Sequence, residues 1–116
     1  VEGEGKMTDV DSLLKTTLEG LGVPVERLIF TGTAPIFFTY QFVLGADAAF
    51  SDDDSEAEEF LYRVDLYTKG DFFALLRRTK QALKAAGFYG ITVDPEIYER
   101  DTGYYHVPIE MKYMEV

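Results

Sequence analysis

One histidine and one run of acidic residues are the features of this sequence that could take part in chemistry. The chain has a single histidine, His106, and no cysteine. An acyl-transfer triad would need a nucleophile and an orienting acid beside the histidine, and the sequence marks no such set. Neither a GxGxxG nor a Walker-type phosphate loop is present. We therefore predict no catalytic residues, no cofactor and a protein that is not an enzyme, with His106 as a surface or interface residue.

The densest group of carboxylates consists of Asp52, Asp53, Asp54 and Glu56. Hard cations such as Ca²⁺ prefer oxygen ligands of this kind, but the alternating acids and central glycine of a calcium loop are missing. Consecutive acids more often form a solvated, self-repelling segment. We predict no metal site and interpret residues 45–59 as a long acidic hairpin loop, of a length that is usually functional or mobile.

Other charged and aromatic side chains are candidates for contacts with proteins. The cations of a predicted second helix form either an ordinary solvated face or a docking surface for an acidic partner. Charged and aromatic residues on one strand face likewise have either a structural or an interface role. The candidate interface residues are Arg63, Asp65, Tyr67, Arg77, Arg78, Lys80, Lys84, Tyr104 and His106.

Composition narrows the possible partners. The formal net charge is −10, from 21 acidic and 11 basic residues, so the phosphates of nucleic acids and anionic membranes should repel the chain. No stretch approaches the ~20 apolar residues that span a bilayer. The 8 tyrosines and 9 phenylalanines exceed what one small core needs, which predicts aromatic surfaces that are buried when subunits meet.

Periodicity predicts two helices. Apolar residues from Val10 to Leu21 recur at helical spacing after a capping box at Thr8–Asp11, and glycines and Pro24 end this helix. A second apolar stripe runs from Phe72 to Ala86, with Asp71 as the predicted N-cap and Gly87 as a left-handed C-terminal stop.

Strands are predicted at 28–30, 36–44, 60–67, 91–93 and 104–114. Pro108 lacks an N–H, so the last strand is expected at an edge or to be bulged there. The fold class is α+β, a mostly antiparallel sheet with two helices packed on one face, in the order α-β-β-β-α-β-β. Residues 7–116 are predicted to form one domain, and residues 1–6 a disordered N-terminal extension or a cloning remnant.

Several stretches together resemble a known protein family. The strand Tyr62–Lys69 precedes the amphipathic helix, and the stretches Ala85–Phe88 and Tyr98–His106 follow it. Upstream, Ala34–Tyr40 is similar to the family's first core strand. Over roughly Leu13–Tyr113 the sequence resembles the small tail-completion proteins of long-tailed bacteriophages and prophages. These proteins are also called tail terminator or tail-to-head joining proteins.

The resemblance implies a structural role in a virion. Members form a ring, typically a hexamer, that caps the finished tail tube, stops its polymerisation and presents a surface to the head connector. The implied partners are further copies of the chain, the tail tube protein and the head–tail connector protein. The implied location is the tail–head junction, assembled in the bacterial cytoplasm. In such a ring, Asp52, Asp53, Asp54 and Glu56 are expected to face the channel or the tube end.

Two other functions stay open at this point. A neck or head-closure protein of the same virion would bind the portal connector without limiting tube length. A small ligand-binding domain would have a deep pocket with perturbed titratable groups.

Overall fold

A computed structural model describes residues 5–47 and 57–115 of the chain. Within these ranges the chain forms two helices and six strands. The elements are α1 (Gly5–Glu19), β1 (Val25–Arg27), β2 (Ile36–Asp47), β3 (Glu58–Thr68), α2 (Phe73–Ala85), β4 (Tyr89–Val93), β5 (Ile97–Glu99) and β6 (Tyr104–Glu115).

The strands form one mostly antiparallel sheet in the order β1-β2-β3-β6-β4, and β5 pairs with β6 beyond the end of β4. The long strands β2, β3 and β6 form its centre, with Tyr40 opposite Val64 and Val64 opposite Ile109. The short strand β1 pairs with β2 in parallel. The α+β class, the two helices and the predominance of antiparallel pairing are confirmed.

Alternation along β3 decides which face of the sheet is covered. Phe60, Tyr62, Val64 and Leu66 are buried, while the intervening side chains point to the opposite face. β6 repeats the pattern with Val107, Ile109 and Met111, as its sequence predicts.

Both helices cover this one face. Val10, Leu14 and Leu18 of α1 and Leu75 and Leu83 of α2 belong to the same buried cluster as the inward side chains of the strands. α1 packs over β1, β2 and β6, and α2 packs beside α1 and against β4. The other face of the sheet, which we call the far face, carries no helix in the described part of the chain.

Several element boundaries differ from the predictions. α1 begins at Gly5, so the predicted capping box at Thr8–Asp11 lies inside the helix, and Gly5 and Lys6 are helical. β2 extends to Asp47 and β3 begins at Glu58, because the two strands pair through Asp47 and Glu58. The connection is therefore shorter than the predicted loop 45–59. Its acidic residues 52–56 lie outside the described residues.

The start of α2 also differs from its prediction. The N-cap residue is Phe72 rather than Asp71. The Asp71 carboxylate nevertheless accepts a hydrogen bond of 3.0 Å from the Phe73 N–H, the first of the helix. The first N–H groups of a helix have no partner within the helix, and Asp71, one residue before the N-cap, accepts a hydrogen bond from one of them.

Two further expectations about strands are wrong. Residues 28–30 do not form a strand, because β1 is the preceding segment Val25–Arg27. Pro108 neither lies on an edge strand nor forms a bulge, because β6 runs between β3 and β4 and its register with β3 continues unbroken through the pair Asp65 and Pro108. The Pro108 carbonyl accepts a hydrogen bond from the Asp94 N–H at 2.9 Å, just where β4 has ended and β5 has not begun. The nitrogen and the carbonyl of one strand residue point to the same side of the strand, so the Pro108 nitrogen also faces the gap after β4. Its missing N–H therefore removes no hydrogen bond between paired strands.

Candidate interaction surface

The far face gathers aromatic and charged side chains from the three central strands. β2 contributes Phe37, β3 contributes Asp65 and Tyr67, and β6 contributes Tyr104 and His106. Their cross-strand register places Phe37 opposite Tyr67, and Tyr67 opposite His106. Side chains directly opposite on adjacent strands are close neighbours, so the register builds a continuous row across the sheet.

Four rings of this row are stacked. The ring centroids of Phe30 and Phe37 are 4.0 Å apart, those of Phe37 and Tyr67 are 4.7 Å apart, and those of Tyr67 and His106 are 4.3 Å apart. The three interplanar angles are 12°, 13° and 17°, so the planes are nearly parallel. Phe30 comes from the loop between β1 and β2, which thereby folds onto the far face.

Tyr104 fixes this row from the side. Its ring meets Phe37 and Tyr67 edge-on, with centroid distances of 5.3 and 6.2 Å. Its hydroxyl donates a hydrogen bond of 2.6 Å to the Ala34 carbonyl, and the Lys69 ammonium lies 4.7 Å from its ring centre. Tyr104 therefore attaches the β1–β2 loop to the sheet and holds a cation at the rim.

A charged network borders the stacked rings. The carboxylate oxygen Oδ1 of Asp65 accepts from Arg63 Nε at 3.0 Å and lies 2.7 Å from His106 Nε2. The other ring nitrogen, Nδ1 of His106, lies 3.7 Å from Glu99 Oε2. Each carboxylate therefore lies beside a side chain that carries nitrogen, in the order Arg63, Asp65, His106 and Glu99. Asp65 is buried, and such pairing offsets the cost of burying its charge.

This arrangement is a poor starting point for acyl-transfer catalysis. In a Ser-His-Asp triad one ring nitrogen faces the acid and the other faces the nucleophile. Here both nitrogens of His106 face carboxylates, and neither is hydrogen-bonded to a hydroxyl in the described residues. The geometry is that of a histidine fixed in position by two acids.

Tyr67 has an altered acidity because of its place in the row. Burial raises the pKa of its phenol, Asp65 and Glu99 raise the pKa further, and Arg63 opposes them. At pH 7 the phenol is neutral, as an ordinary tyrosine is, and the raised pKa keeps it neutral further into the alkaline range.

An open groove of about 360 Å³ lies beside the stacked rings. It is lined on the sheet side by Phe37, Tyr67 and Tyr104 and on the loop side by Leu28 and Ile29. The loop side is strained, since Leu28 has a φ of +69° and the Ile29 N–H donates to the Arg27 carbonyl at 2.7 Å. This is the rare γ-turn of positive φ, and it turns Leu28 and Ile29 out to solvent, at 53% and 70% exposure.

The predicted interface residues fall into two groups. Arg63, Asp65, Tyr67, Tyr104 and His106 are brought together on the far face. The cations Arg77, Arg78, Lys80 and Lys84 lie on α2, on the other side of the molecule. Asp52, Asp53, Asp54 and Glu56, assigned to a channel-facing loop, lie outside the described residues.

Sequence reasoning missed three participants of the far face, Phe30, Phe37 and Glu99. The signal for Phe37 was present, since alternation along β2 places it opposite to the buried Phe38. Phe30 and Glu99 gave no local signal, because one comes from a loop and the other from the short strand β5. In the described ranges no group of three or more acidic or histidine side chains could hold a metal ion, and no helix could cross a bilayer.

Comparisons with known proteins give a likeness of fold. No family model matches the sequence, and no curated protein matches it either. Among solved structures, the chain is similar to a chain in the virion of a native gene transfer agent particle. The TM-score is 0.50 and the identity 13%, over 84% of this chain and 83% of that chain. At this level of identity the two chains share an arrangement of helices and strands, and nothing finer is shown.

Proposed function

We propose that this chain is a structural virion protein that forms a ring on the end of a phage-like tail tube, stops its polymerisation and joins tail to head. The observation that carries the proposal is the far face, which in the described part of the chain has no helix over it and is lined with stacked rings and paired charges. The likeness of fold to a chain of a gene transfer agent virion supports it.

The far face has the composition of a protein–protein interface. Aromatic and arginine side chains are enriched in such interfaces and provide most of their binding energy. The buried polar groups of the face are already paired, since no buried side-chain nitrogen or oxygen in the described residues lacks a hydrogen-bond partner. A partner protein therefore meets no unpaired buried group here, which would cost about 1–3 kcal/mol, and has to pair only the polar groups that are still exposed.

The groove suits a protein partner better than a small ligand. Small-molecule sites enclose most of the ligand's surface, whereas this groove is open along its length. Its exposed loop wall, Leu28 and Ile29, would remain in water unless another chain covered it. The partners in the proposal are further copies of the chain, the tail tube protein and the head–tail connector protein. Asp52, Asp53, Asp54 and Glu56 are assigned to the channel or the tube end, where acids would repel passing DNA.

The test is polymerisation of purified tail tube protein with and without this chain, with tube lengths measured by electron microscopy. Wild-type protein should shorten and cap the tubes. Arg63→Glu should lose this effect, because it places a third carboxylate beside Asp65 and Glu99 on the far face. Arg78→Glu is the matched control, since it makes the same change of charge on α2, away from the far face, and should cap tubes normally.

Two results would overturn the proposal. In the first, the wild-type protein leaves tube length unchanged and does not label tube ends. In the second, it binds the portal connector but not the tube, which is the behaviour of a head-closure protein. Circular dichroism of both variants confirms that a loss of capping is not a loss of fold.

A further inference from the structure

α2 carries an outward stripe that the far face does not use. Phe73, Arg77, Lys80 and Lys84 are spaced by four, three and four residues and so lie on one flank of the helix. Phe73 is 59% exposed, and α2 contains no acidic residue. Within the described residues none of the three cations forms an ion pair.

The stripe points away from the rest of the subunit. Arg78 marks the flank that faces α1, because its guanidinium donates to the Leu21 carbonyl at 3.4 Å. At the 3.6 residues per turn of an α-helix, the stripe lies roughly 130° around the helix from Arg78. α2 itself packs against β4, the strand at the end of the sheet opposite β1. The stripe therefore faces outward at the β4 end.

The β1 end of the subunit carries exposed carboxylates, in contrast to the cations of the α2 stripe. Glu19 and Glu26 are exposed there, and the exposed Leu28 and Ile29 follow Glu26 after Arg27. Burial raises the pKa of the Tyr40 hydroxyl, and Asp11, Glu19 and Glu26 raise it further while Arg27 lowers it, so both exposed carboxylates lie within electrostatic reach of this tyrosine of β2. The nearby Arg27 is occupied, because its Nε lies 3.2 Å from Asp11 Oδ2. An apolar pair thus lies beside two carboxylates that form no ion pair in the described residues.

The α2 stripe also has an apolar start, since Phe73 lies about one turn, or about 6 Å along the helix axis, from Arg77. Beside Phe73, an open hollow of about 400 Å³ is lined by the rings of Phe72 and Tyr105 and by the charged residues Lys69, Asp71 and Glu96. Its volume gives room for a branched aliphatic side chain next to an exposed aromatic ring.

We propose that the β1 end of one copy docks on the α2 stripe of the next copy, with Leu28 and Ile29 against Phe73 and Glu19 and Glu26 facing Arg77, Lys80 and Lys84. This rests on the proposed function as a ring and names the surfaces through which the ring closes. The two surfaces differ and lie at opposite ends of one sheet, so the contact is head-to-tail, as a ring requires. Charge steers the encounter, and the apolar centre holds it.

The test is a charge exchange between two variants, followed by sedimentation velocity over a concentration series at low and high salt. Variant one is Arg77→Glu with Lys84→Glu, and variant two is Glu19→Lys with Glu26→Lys. Each alone should associate with itself roughly tenfold more weakly than wild type, because like charges then meet. An equal mixture should restore association, since each altered end then meets a complementary one. High salt should weaken the wild-type contact.

Two single variants sharpen this test. Ile29→Ser removes an apolar side chain that is 70% exposed, so it should weaken association without lowering the free energy of unfolding. Arg78→Glu is the control for Arg77→Glu on the same helix and should associate as wild type. A monomeric wild type under all conditions, or variants that fail to complement each other, would overturn the head-to-tail contact. Tube capping is scored separately. If variants one and two associate and cap as wild type does, this contact is wrong while the proposed function stands.

Discussion

The Tyr62 hydroxyl ties the first helix to the centre of the sheet. It lies on β3 among fully buried side chains and donates a hydrogen bond of 2.7 Å to the Asp11 carboxylate of α1. The second oxygen of Asp11 lies 3.2 Å from Arg27 Nε of β1. Three elements therefore meet at one carboxylate. Burial raises the pKa of Tyr62, and the hydrogen bond and charge of Asp11 raise it further.

This pKa shift has a direct consequence for stability at alkaline pH. Above the usual tyrosine pKa of about 10, the unfolded chain loses a proton that the folded chain keeps. The free energy of unfolding must then fall as pH rises. Tyr62→Phe should remove part of this fall, and at neutral pH it should cost about 1 kcal/mol for the lost hydrogen bond. Denaturant unfolding at a series of pH values measures both effects.

Tyr98→Phe is the matched control for that experiment, because Tyr98 is exposed on β5. It should leave both the neutral stability and the alkaline slope as in wild type. An unchanged slope in Tyr62→Phe would contradict the raised pKa assigned to this buried phenol.

Asp65 plays the corresponding part on the far face, but its partners are side chains of the same surface. Arg63 and His106 both contact one of its oxygens, and Tyr67 stacks on His106 at 4.3 Å. The carboxylate thereby sets the orientation of the residues at the rim of the groove. Asp65 acts on this surface by orienting its neighbours. Reversing the charge of Arg63 disturbs that arrangement, so it is a sharper test than removing an exposed charge.

At the scale of elements, the C-terminus of α2 shows how one glycine ends a helix. The Gly87 N–H donates to the Lys84 carbonyl at 3.1 Å and the Phe88 N–H donates to the Leu83 carbonyl at 3.0 Å, the pattern of a Schellman motif. Gly87 has a φ of +104°, as the sequence predicts for a left-handed stop. Phe88 and Leu83 are both buried, which adds the usual apolar contact of this motif.

Gly87→Ala should therefore lower the free energy of unfolding by about 1–2 kcal/mol, the cost of a left-handed conformation for a residue with a Cβ. The new methyl group would also lie 3.3 Å from a ring carbon of Tyr113. Gly70→Ala is the control, because nothing lies within 4 Å of its Cβ position and its φ is not positive. Equal stabilities of the two variants in thermal unfolding would contradict the role given to Gly87.

The elements that could be predicted from sequence are those whose signal is local. The buried apolar stripe of α2 and the alternation of β3 and β6 follow from the spacing of apolar residues, and both are confirmed. β1 could not be predicted, because Val25–Arg27 holds one apolar residue and owes its strand conformation to parallel pairing with β2. Residues 28–30 look more like a strand, yet a γ-turn exposes two of them and the third stacks on Phe37.

The candidate surface was predictable to the same extent as the strands that carry it. Arg63, Asp65 and Tyr67 share a face by alternation, and the register of β6 adds Tyr104 and His106. The four cations of α2 belong to a different surface. This can be predicted only when it is known which face of the sheet the helices cover. That information lies in long-range packing and not in any local pattern.

At the scale of the whole molecule, one buried cluster joins everything on the helix side of the sheet. It includes side chains of α1, α2 and all three central strands. A domain with a single core of this kind should unfold cooperatively. The far face contributes little to that cluster, so the molecule separates its source of stability from its candidate binding surface by one layer of sheet.

Leu14→Ala tests this cooperativity, because Leu14 is 0% exposed at the centre of α1. The substitution should lower the free energy of unfolding by about 3 kcal/mol through lost transfer energy and a cavity. All 8 tyrosines lie in strands and tryptophan is absent, so tyrosine fluorescence follows the sheet while circular dichroism at the helical band follows α1 and α2. If the core is one unit, the two signals should shift together to lower denaturant in Leu14→Ala. An earlier loss of the helical signal alone would mean that α1 detaches from a sheet that stays folded.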